Sequence, residues 1–412
     1  MEYSPRLSSN TLTFIMTIEY NGFAYAGFQR QTSTPPNNTT KSNINNSTQD
    51  SSVPTRKRPH PSQLASDNKK SNKYAPTTVQ QQIENALQQW TYLSVATLRV
   101  RGAGRTDKGV HASGQVVAFD VPLNLLQLKD ACTNETSEDT DCTETISGHA
   151  LPILQEACQR FQASNGFNGD VSQSSEGKAN NQAFIDFWQV RRAISTRLPP
   201  DIVIQTVWIW TGTCPFEARQ GIACKTYTYK LRFRSLAHVN TTNGDQVVHP
   251  ICNAGPHLLR RVSDQNNVWL SPWPLDPTIL SPACKTFVGT HDFSNFIHKE
   301  DKKRAKEKDH TINLLCFDVC LCQEGEVSML PPVYNATFTL KAKGFHRQMI
   351  RNLVGFVADV ARGLQKLESI PLLLQGTKHS TIRVNAAPAC GLSLDAVRYE
   401  CNSFSERLLK SI

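Results

Sequence analysis

The sequence contains no pair of cysteines in the CxxC spacing, although 12 cysteines are scattered through its 412 residues. Structural zinc sites usually combine two such pairs, or one pair with two histidines. No apolar run is long enough to span a membrane. The first residues, MEYSPRLSSN, lack the basic segment and apolar core of a secretory signal. We therefore expect free thiols, no metal site and no membrane partner. A nuclear or cytoplasmic location is favoured, with an organelle left open.

The chain has fewer acidic residues (35) than lysines and arginines (44), and its net charge is +9. A basic chain is suited to a polyanionic partner such as nucleic acid, although many basic proteins bind none. Its length predicts about two or three domains and is sufficient for a sizeable core.

Three polar stretches interrupt the predicted helices and strands. Residues 32–76 are rich in Ser, Thr, Asn and Pro, and residues 130–182 are acidic and rich in Ser and Asn. Both are predicted to be disordered, because they cannot bury enough apolar surface to order themselves. Residues 236–272 are predicted to be an irregular insert or linker. They would separate an N-terminal half over 11–235 from a C-terminal half over 273–402.

The spacing of apolar residues predicts the elements of these halves. Helices are predicted over 77–90 and 345–363, where apolar residues recur at helical spacing. Strands are predicted over 11–22, 114–123 and 225–234, where apolar residues are clustered or alternate with polar ones. Because neighbouring strands are expected to be antiparallel, the predicted fold class is α+β.

The segment GAGRTDKGVHASGQ, residues 102–115, places a single acid, Asp107, among four glycines. Aspartate and glycine are both common in turns, so the structural interpretation is an aspartate that caps a turn. The segment matches neither the P-loop nor the dinucleotide-binding fingerprint. Arg105 and Lys108 flank the acid and His111 follows it. The residues alone leave open whether Asp107 stabilises a turn or carries chemistry.

The block GRTDKGVHASGQ resembles the signature of the TruA family of tRNA pseudouridine synthases. Seven further blocks resemble other motifs of the same family and occur in the family's order: YNGFAYAGFQRQ (20–31), TVQQQIENAL (78–87), RRAISTRLPPDI (191–202), KTYTYKL (225–231), GTHDFSNF (289–296), FHRQMIRNLVG (345–355) and APACGLSLDAVRY (387–399). They are spread over nearly the whole chain.

This resemblance implies the pseudouridine synthase fold, in which two α/β halves form an extended, mainly antiparallel sheet with flanking helices and a central active-site cleft. It implies that uridine is isomerised to pseudouridine in the anticodon stem-loop of tRNA, at positions 38 to 40. In that reaction the N1–C1′ bond breaks, the uracil rotates and it rejoins the sugar through C5. No cofactor or metal is needed. A homodimer is expected from the same resemblance.

Three residues match the active site of the family. Asp107 matches the essential carboxylate, which either attacks C1′ or removes a proton from C2′. Arg351 matches the arginine that pairs with this carboxylate, and its place beside an apolar helix stripe is unfavourable for an unpaired charge. Tyr227 matches the tyrosine that packs on the target uracil. Strand alternation also predicts a core position for Tyr227, and Tyr229 is the alternative. His111 is expected to be structural.

Extraction of the target base from its stack costs a few kcal/mol, and phosphate contacts would have to supply much of this. The candidate contacts are Arg30, Arg101, Arg105, Lys108, Arg191, Arg192 and the charged run 298–308. That run is equally well explained as a solvated loop.

Departures from the family pattern leave the target open. The three polar stretches are absent from compact bacterial members and suggest a eukaryotic protein, as does Lys108. They put in doubt which uridine is modified and whether tRNA is the only substrate. A non-catalytic RNA-binding protein or tRNA chaperone that keeps the fold is the alternative function.

Overall fold

The structure is a computed structural model. It describes residues 11–30, 77–126, 144–164, 187–210, 216–236, 238–240, 246–248, 251, 255–264, 266–298, 309–324, 331–376 and 382–400. The predicted insert over 32–76 lies outside the described residues. Within them, no helix is long and apolar enough to cross a membrane.

The described residues form α-helices and β-strands whose bounds follow. The helices are α1 (Val79–Thr91), α2 (Val95–Leu98), α3 (Ala150–Ser164), α4 (Trp188–Ser195), α5 (Pro277–Thr286), α6 (Met349–Ala361) and α7 (Ser369–Leu373). The strands are β1 (Thr11–Tyr20), β2 (Arg101–Gly102), β3 (His111–Pro122), β4 (Ile202–Ile209), β5 (Ile222–Arg234), β6 (His238–Asn240), β7 (Gln246–Val248), β8 (Trp269–Leu270), β9 (Gly289–Asp292), β10 (Thr311–Glu324), β11 (Val333–Ala342) and β12 (Leu392–Tyr399).

One large sheet runs through the protein in the strand order β4-β1-β3-β12-β5-β11-β10-β9. Neighbouring strands along this path are antiparallel, except for β3 and β12, which are parallel. Short strand β2 pairs with β3, and β8 pairs with β5. The predicted α+β class and the extended, mainly antiparallel sheet are confirmed.

The parallel contact between β3 and β12 joins the early and late parts of the chain. It consists of the pairs Ser393 with His111 and Leu394 with Ala112. A Cβ atom on Gly114 would lie 2.0 Å from the backbone oxygen of Asp395, so only glycine permits this approach. Strand β5, from the predicted N-terminal half, lies between β12 and β11. The centre of the sheet is therefore built from both parts of the chain.

Helix α3 corrects the prediction of disorder over 130–182. Ala150, Leu154 and Ala157 recur at helical spacing and are buried, and the helix packs against α1 and α4. These three buried residues form a short apolar stripe within a segment that is mostly polar. The average composition of residues 130–182 therefore concealed a helix with a buried face.

An ion cluster around the buried Arg232 attaches the stretch 236–272 to the sheet. Arg232 of β5 is buried, donates to Asp264 at 2.8 Å and pairs with Glu324 of β10. Arg261 also pairs with Glu324, at 2.6 Å. Because the charge of Arg232 is buried and needs these acidic partners, the cluster fixes part of the stretch in place.

Helix α6 is almost wholly buried. All of its residues are buried except Arg351, which is partly exposed. The predicted helix over 345–363 begins later than expected, at Met349, because Gln348 adopts the left-handed conformation with φ of 60°. The helix is mainly apolar and even its other polar residues are buried, which makes Arg351 the exception on it.

We expect Gly355→Ala to lower the free energy of unfolding by about 1–3 kcal/mol, as overpacking a core does. A Cβ atom there would lie 2.0 Å from the backbone oxygen of Asn385, so α6 or its neighbour must shift. Urea denaturation followed by circular dichroism measures the change. Gly148→Ala is the control, because nothing lies within 4 Å of an added Cβ. Equal denaturation midpoints for the two variants would contradict the prediction.

Candidate active site

A cleft of about 1210 Å³ opens between the loop that joins β2 to β3 and the start of α6. Asp107 is the single acidic residue among the described residues that line it. The lysines and arginines that line it are Arg30, Arg105, Lys108, Arg219, Lys225, Lys343, Arg347 and Arg351. The cleft thus combines one carboxylate with a strongly positive wall, which attracts anionic ligands.

The loop that carries Asp107 packs closely against the segment that follows β1. Gly27 has a φ of 106°, and a Cβ atom on it would lie 2.6 Å from the backbone oxygen of Thr106. A Cβ atom on Gly102 would lie 2.4 Å from the ring of Phe28. Glycine at both positions allows the two segments to touch, which explains why each motif contains these glycines.

Hydrogen bonds from other elements hold the backbone of this loop. Three loop carbonyls each accept one: Ala103 O from Lys225 Nζ (2.9 Å), Gly104 O from Gln115 Nε2 (2.8 Å) and Thr106 O from the Phe28 N–H (3.1 Å). The carboxylate of Asp107, in contrast, accepts no hydrogen bond from the part of the chain that the structure describes. The loop is therefore fixed while its acid is left open to the cleft.

Arg347, which lies just before α6, is the cation beside Asp107. Its Nε lies 3.9 Å from Asp107 Oδ1, and the two side chains are 52% and 30% exposed. This distance exceeds that of a hydrogen bond, so the contact is a loose, solvated ion pair.

Arg351, the predicted partner of Asp107, lines the same cleft but makes a different contact. Its Nε donates to the backbone oxygen of Ala387 at 2.7 Å. Among the described residues, no ion pair joins Arg351 to Asp107. The structure therefore brings the two residues to one cleft without joining them, and Arg347 stands nearer to the carboxylate.

Tyr227 and Tyr229 occupy different environments on β5. Tyr227 lines the cleft, and its ring meets Phe345 edge-on with centroids 5.3 Å apart. Its hydroxyl has no hydrogen-bond partner among the described residues. Burial, with a further contribution from the charge of Asp107, raises the pKa of Tyr227 well above its usual value. Tyr229 is fully buried and donates to the backbone oxygen of Pro388 at 2.8 Å. Of the two hydroxyls, only that of Tyr229 thus makes a hydrogen bond within the described residues.

Three of the predicted RNA contacts lie at the cleft. Arg30, Arg105 and Lys108 are exposed and line it. Arg30 also pairs with the buried Glu84 at 3.2 Å, and this ion pair holds the guanidinium of Arg30 at the cleft wall. These three residues are in position to meet an anion that enters the cleft.

The other predicted contacts do not line the cleft. Arg101 holds the buried carboxylate of Asp120 through two hydrogen bonds of 2.9 and 3.0 Å. Arg191 and Arg192 lie on α4, which packs against β4, and Arg191 donates to the backbone oxygen of Gln205 at 2.7 Å. Most of the charged run, residues 299–308, lies outside the described residues.

His111 is held as a structural residue. Its Nδ1 accepts a hydrogen bond from the Gly22 N–H at 3.2 Å. Burial lowers the pKa of its imidazole, so the neutral form that accepts this bond is favoured.

Lys225 and Arg347 are cleft residues that the sequence analysis did not single out. A signal for each was present. Lys225 lies two residues before Tyr227 on one strand, so alternation places both on one face. Arg347 lies inside the FHRQMIRNLVG block, four residues before Arg351.

Comparisons with known proteins agree with this fold and cleft. Residues 283–400 match the family model described as tRNA pseudouridine synthase. A tRNA pseudouridine synthase A 1 of Bacillus cereus is 27% identical over 322 residues, which cover 78% of this chain and 89% of the relative. The tRNA pseudouridine synthase A of Thermodesulfovibrio yellowstonii is 26% identical over 329 residues (78% and 90%). That of Streptococcus pneumoniae is 24% identical over 387 residues (93% and 97%).

The sheet, the cleft that contains Asp107 and these relatives define an isomerase of the pseudouridine synthase class. Within that class, the family model and the relatives support the TruA family of tRNA pseudouridine synthases. The family predicted from the sequence motifs is confirmed.

We expect Tyr227→Phe to leave the free energy of unfolding within about 0.5 kcal/mol of the original value. Its hydroxyl makes no bond within the described residues. Tyr229→Phe, the matched variant on the same strand, should lower that free energy by about 1–2 kcal/mol, because the Pro388 carbonyl loses its donor. Urea denaturation compares the two. A larger loss for Tyr227→Phe would show that its hydroxyl has a partner in the fold.

Proposed function

We propose that this chain converts uridine to pseudouridine in the anticodon stem-loop of tRNA, at positions 38 to 40, with Asp107 as the reacting carboxylate. The observation that carries the proposal is the cleft in which one carboxylate, on a fixed loop, faces a wall of cations. The names of the relatives support tRNA as the substrate. The stem-loop positions rest on the family resemblance.

The proposed reaction is an isomerisation that leaves the composition of the nucleoside unchanged. The N1–C1′ bond breaks, the uracil turns, a C5–C1′ bond forms, and the proton on C5 is exchanged for one on N1. Asp107 acts at the sugar, where its carboxylate either attacks C1′ or removes the proton from C2′. A carboxylate without hydrogen-bond donors keeps its electron pairs available for either role. The fixed backbone keeps Asp107 in place while the substrate enters.

Arg351 and Tyr227 complete the proposed site. Arg351 is the one residue of α6 that is not buried, and it stabilises the negative charge of the carboxylate from across the cleft. Arg347 contributes to the same stabilisation at 3.9 Å from Asp107. The ring of Tyr227 offers the uracil an apolar surface.

Contacts with phosphates are proposed for the exposed cations of the cleft wall. The candidates that remain from the sequence analysis are Arg30, Arg105 and Lys108. Arg101 is left out because its guanidinium already binds the carboxylate of Asp120. Contacts made by Arg191 or Arg192 would fall on parts of the tRNA outside the cleft. A homodimer is proposed from the family resemblance alone.

We expect wild-type protein to create a carbodiimide-dependent primer-extension stop at positions 38 to 40 of an unmodified tRNA transcript. Asp107→Asn should lower the rate of product formation by about 1,000-fold or more, because the amide can neither attack nor accept a proton. Asp318→Asn is the control, since Asp318 is an exposed acid on β10 that does not line the cleft.

The outcomes of that experiment separate the alternatives. Stops at other positions would keep the chemistry and move the target. An unchanged rate for Asp107→Asn would remove Asp107 from the reaction. Binding of tRNA without any stop would contradict the proposal and favour the non-catalytic RNA-binding protein or tRNA chaperone.

We expect the Kd for tRNA to rise steeply with salt, with a logarithmic slope of about 0.9 for each phosphate neutralised. Lys108→Gln should reduce that slope by about one, because it removes one cation from the cleft wall. Lys285→Gln, an exposed residue of α5 outside the cleft, is the control. Fluorescence anisotropy over a salt series measures both. A flat salt response would contradict the electrostatic part of the proposal.

A further inference from the structure

Lys225 lies on β5 at the bottom of the loop that carries Asp107. Its Nζ donates to the backbone oxygen of Ala103 at 2.9 Å. A Cβ atom on Gly104 would lie 3.1 Å from the same Nζ and 4.0 Å from the Tyr227 hydroxyl. Because residue 104 is a glycine, there is room for the ammonium group of Lys225 next to the loop. The lysine side chain therefore packs closely against the loop backbone.

The environment of Lys225 is costly for a charge. The side chain is only partly exposed, and burial together with the nearby Arg219 lowers the pKa of its ammonium group. Within the described residues no carboxylate forms an ion pair with Lys225. A neutral side chain would bury at this position more easily, so the stability of the fold does not account for a lysine here.

We propose that Lys225 is a positioning residue, which holds the Ala103 carbonyl and thereby fixes residues 103–106 so that Asp107 points at the sugar of the target uridine. This inference rests on the proposed function, because it assigns a role within the same site. Among the described residues, the bond is one of three that other elements donate to loop carbonyls, and it is the one made by a charged donor. Bonds from charged donors are about twice as strong as neutral ones.

A phosphate contact is the competing role for a lysine in this cleft. Arg105 and Lys108 are exposed and suit that role. Lys225 is less exposed, and its Nζ is already engaged with Ala103. The geometry therefore favours positioning, and the two roles differ in the kinetic constant that they affect.

The test compares Lys225→Met, Lys225→Arg and Lys230→Met in the full chain with a tRNA transcript. Lys230 lies on the same strand, is exposed and does not line the cleft, so it is the matched control. Single-turnover rates at saturating tRNA and the Kd for tRNA are measured separately. Lys225→Met should lower the rate about 100-fold, as a small misplacement of a reacting group does, with the Kd unchanged. Lys225→Arg should recover most of the rate, and Lys230→Met should match wild type.

Amide hydrogen exchange of the segment 103–106 in the free protein gives a readout that does not depend on catalysis. Exchange should be about tenfold faster in Lys225→Met than in wild type, as loss of a hydrogen bond from a charged donor predicts. It should be unchanged in Lys230→Met. If wild type makes no pseudouridine, the proposed function fails, while this exchange still decides whether Lys225 fixes the loop.

Two results would overturn the inference. A weaker Kd with an unchanged saturating rate would make Lys225 a phosphate contact. Unchanged exchange in Lys225→Met would show that the loop is fixed without it. If Lys225→Met does not fold, Lys225→Gln replaces it, because the glutamine side chain is one bond shorter and uncharged. The same rate and exchange criteria then apply.

Discussion

The close approach of β12 to β3 is the constraint on which the cleft depends. A Cβ atom on Gly114 would lie 2.0 Å from the backbone oxygen of Asp395, so a side chain here would push the strands apart. Strand β3 begins just after the loop of Asp107. Strand β12 begins just after the segment in which Ala387 accepts a bond from Arg351. Two elements distant in sequence therefore meet at one cleft because glycine lets their strands touch.

Most of the fold could be predicted from the sequence, because its signals are local. The alternation along β5 and the apolar spacing of α1 and α6 identify elements without knowledge of their partners. Helix α3 was not predicted because its buried apolar stripe is short and the segment that contains it is mostly polar. The late start of α6 was not predicted either, because nothing in the sequence indicates that Gln348 adopts a positive φ.

The site was predicted less completely, since side-chain partners depend on tertiary contacts. Arg101 and Arg105 are cations four residues apart, and the sequence offers no basis for separating them. The structure separates them fully: Arg101 faces Asp120, and Arg105 lines the cleft. Lys225 could have been found, because alternation places it on the face of Tyr227. Arg347 could not have been ranked above Arg351, since both lie in one motif and only the start of α6 orients them.

Two aspartates of this protein lie in opposite environments, one suited to a structural role and the other to the proposed reaction. Asp120 is buried, and Arg101 donates to both its oxygens at 2.9 and 3.0 Å, with Thr13 and Arg99 as further donors. Loss of these partners would leave a buried charge unpaired, so Asp120 is held in one state. Asp107 is partly exposed, and its nearest cation among the described residues, Arg347, lies 3.9 Å away. A loose pair costs little to open, so a substrate can enter beside the carboxylate without breaking the fold. The rigidity that the proposed reaction needs comes instead from the bonds to the loop's backbone, which leave the acid itself without a hydrogen bond from the described residues.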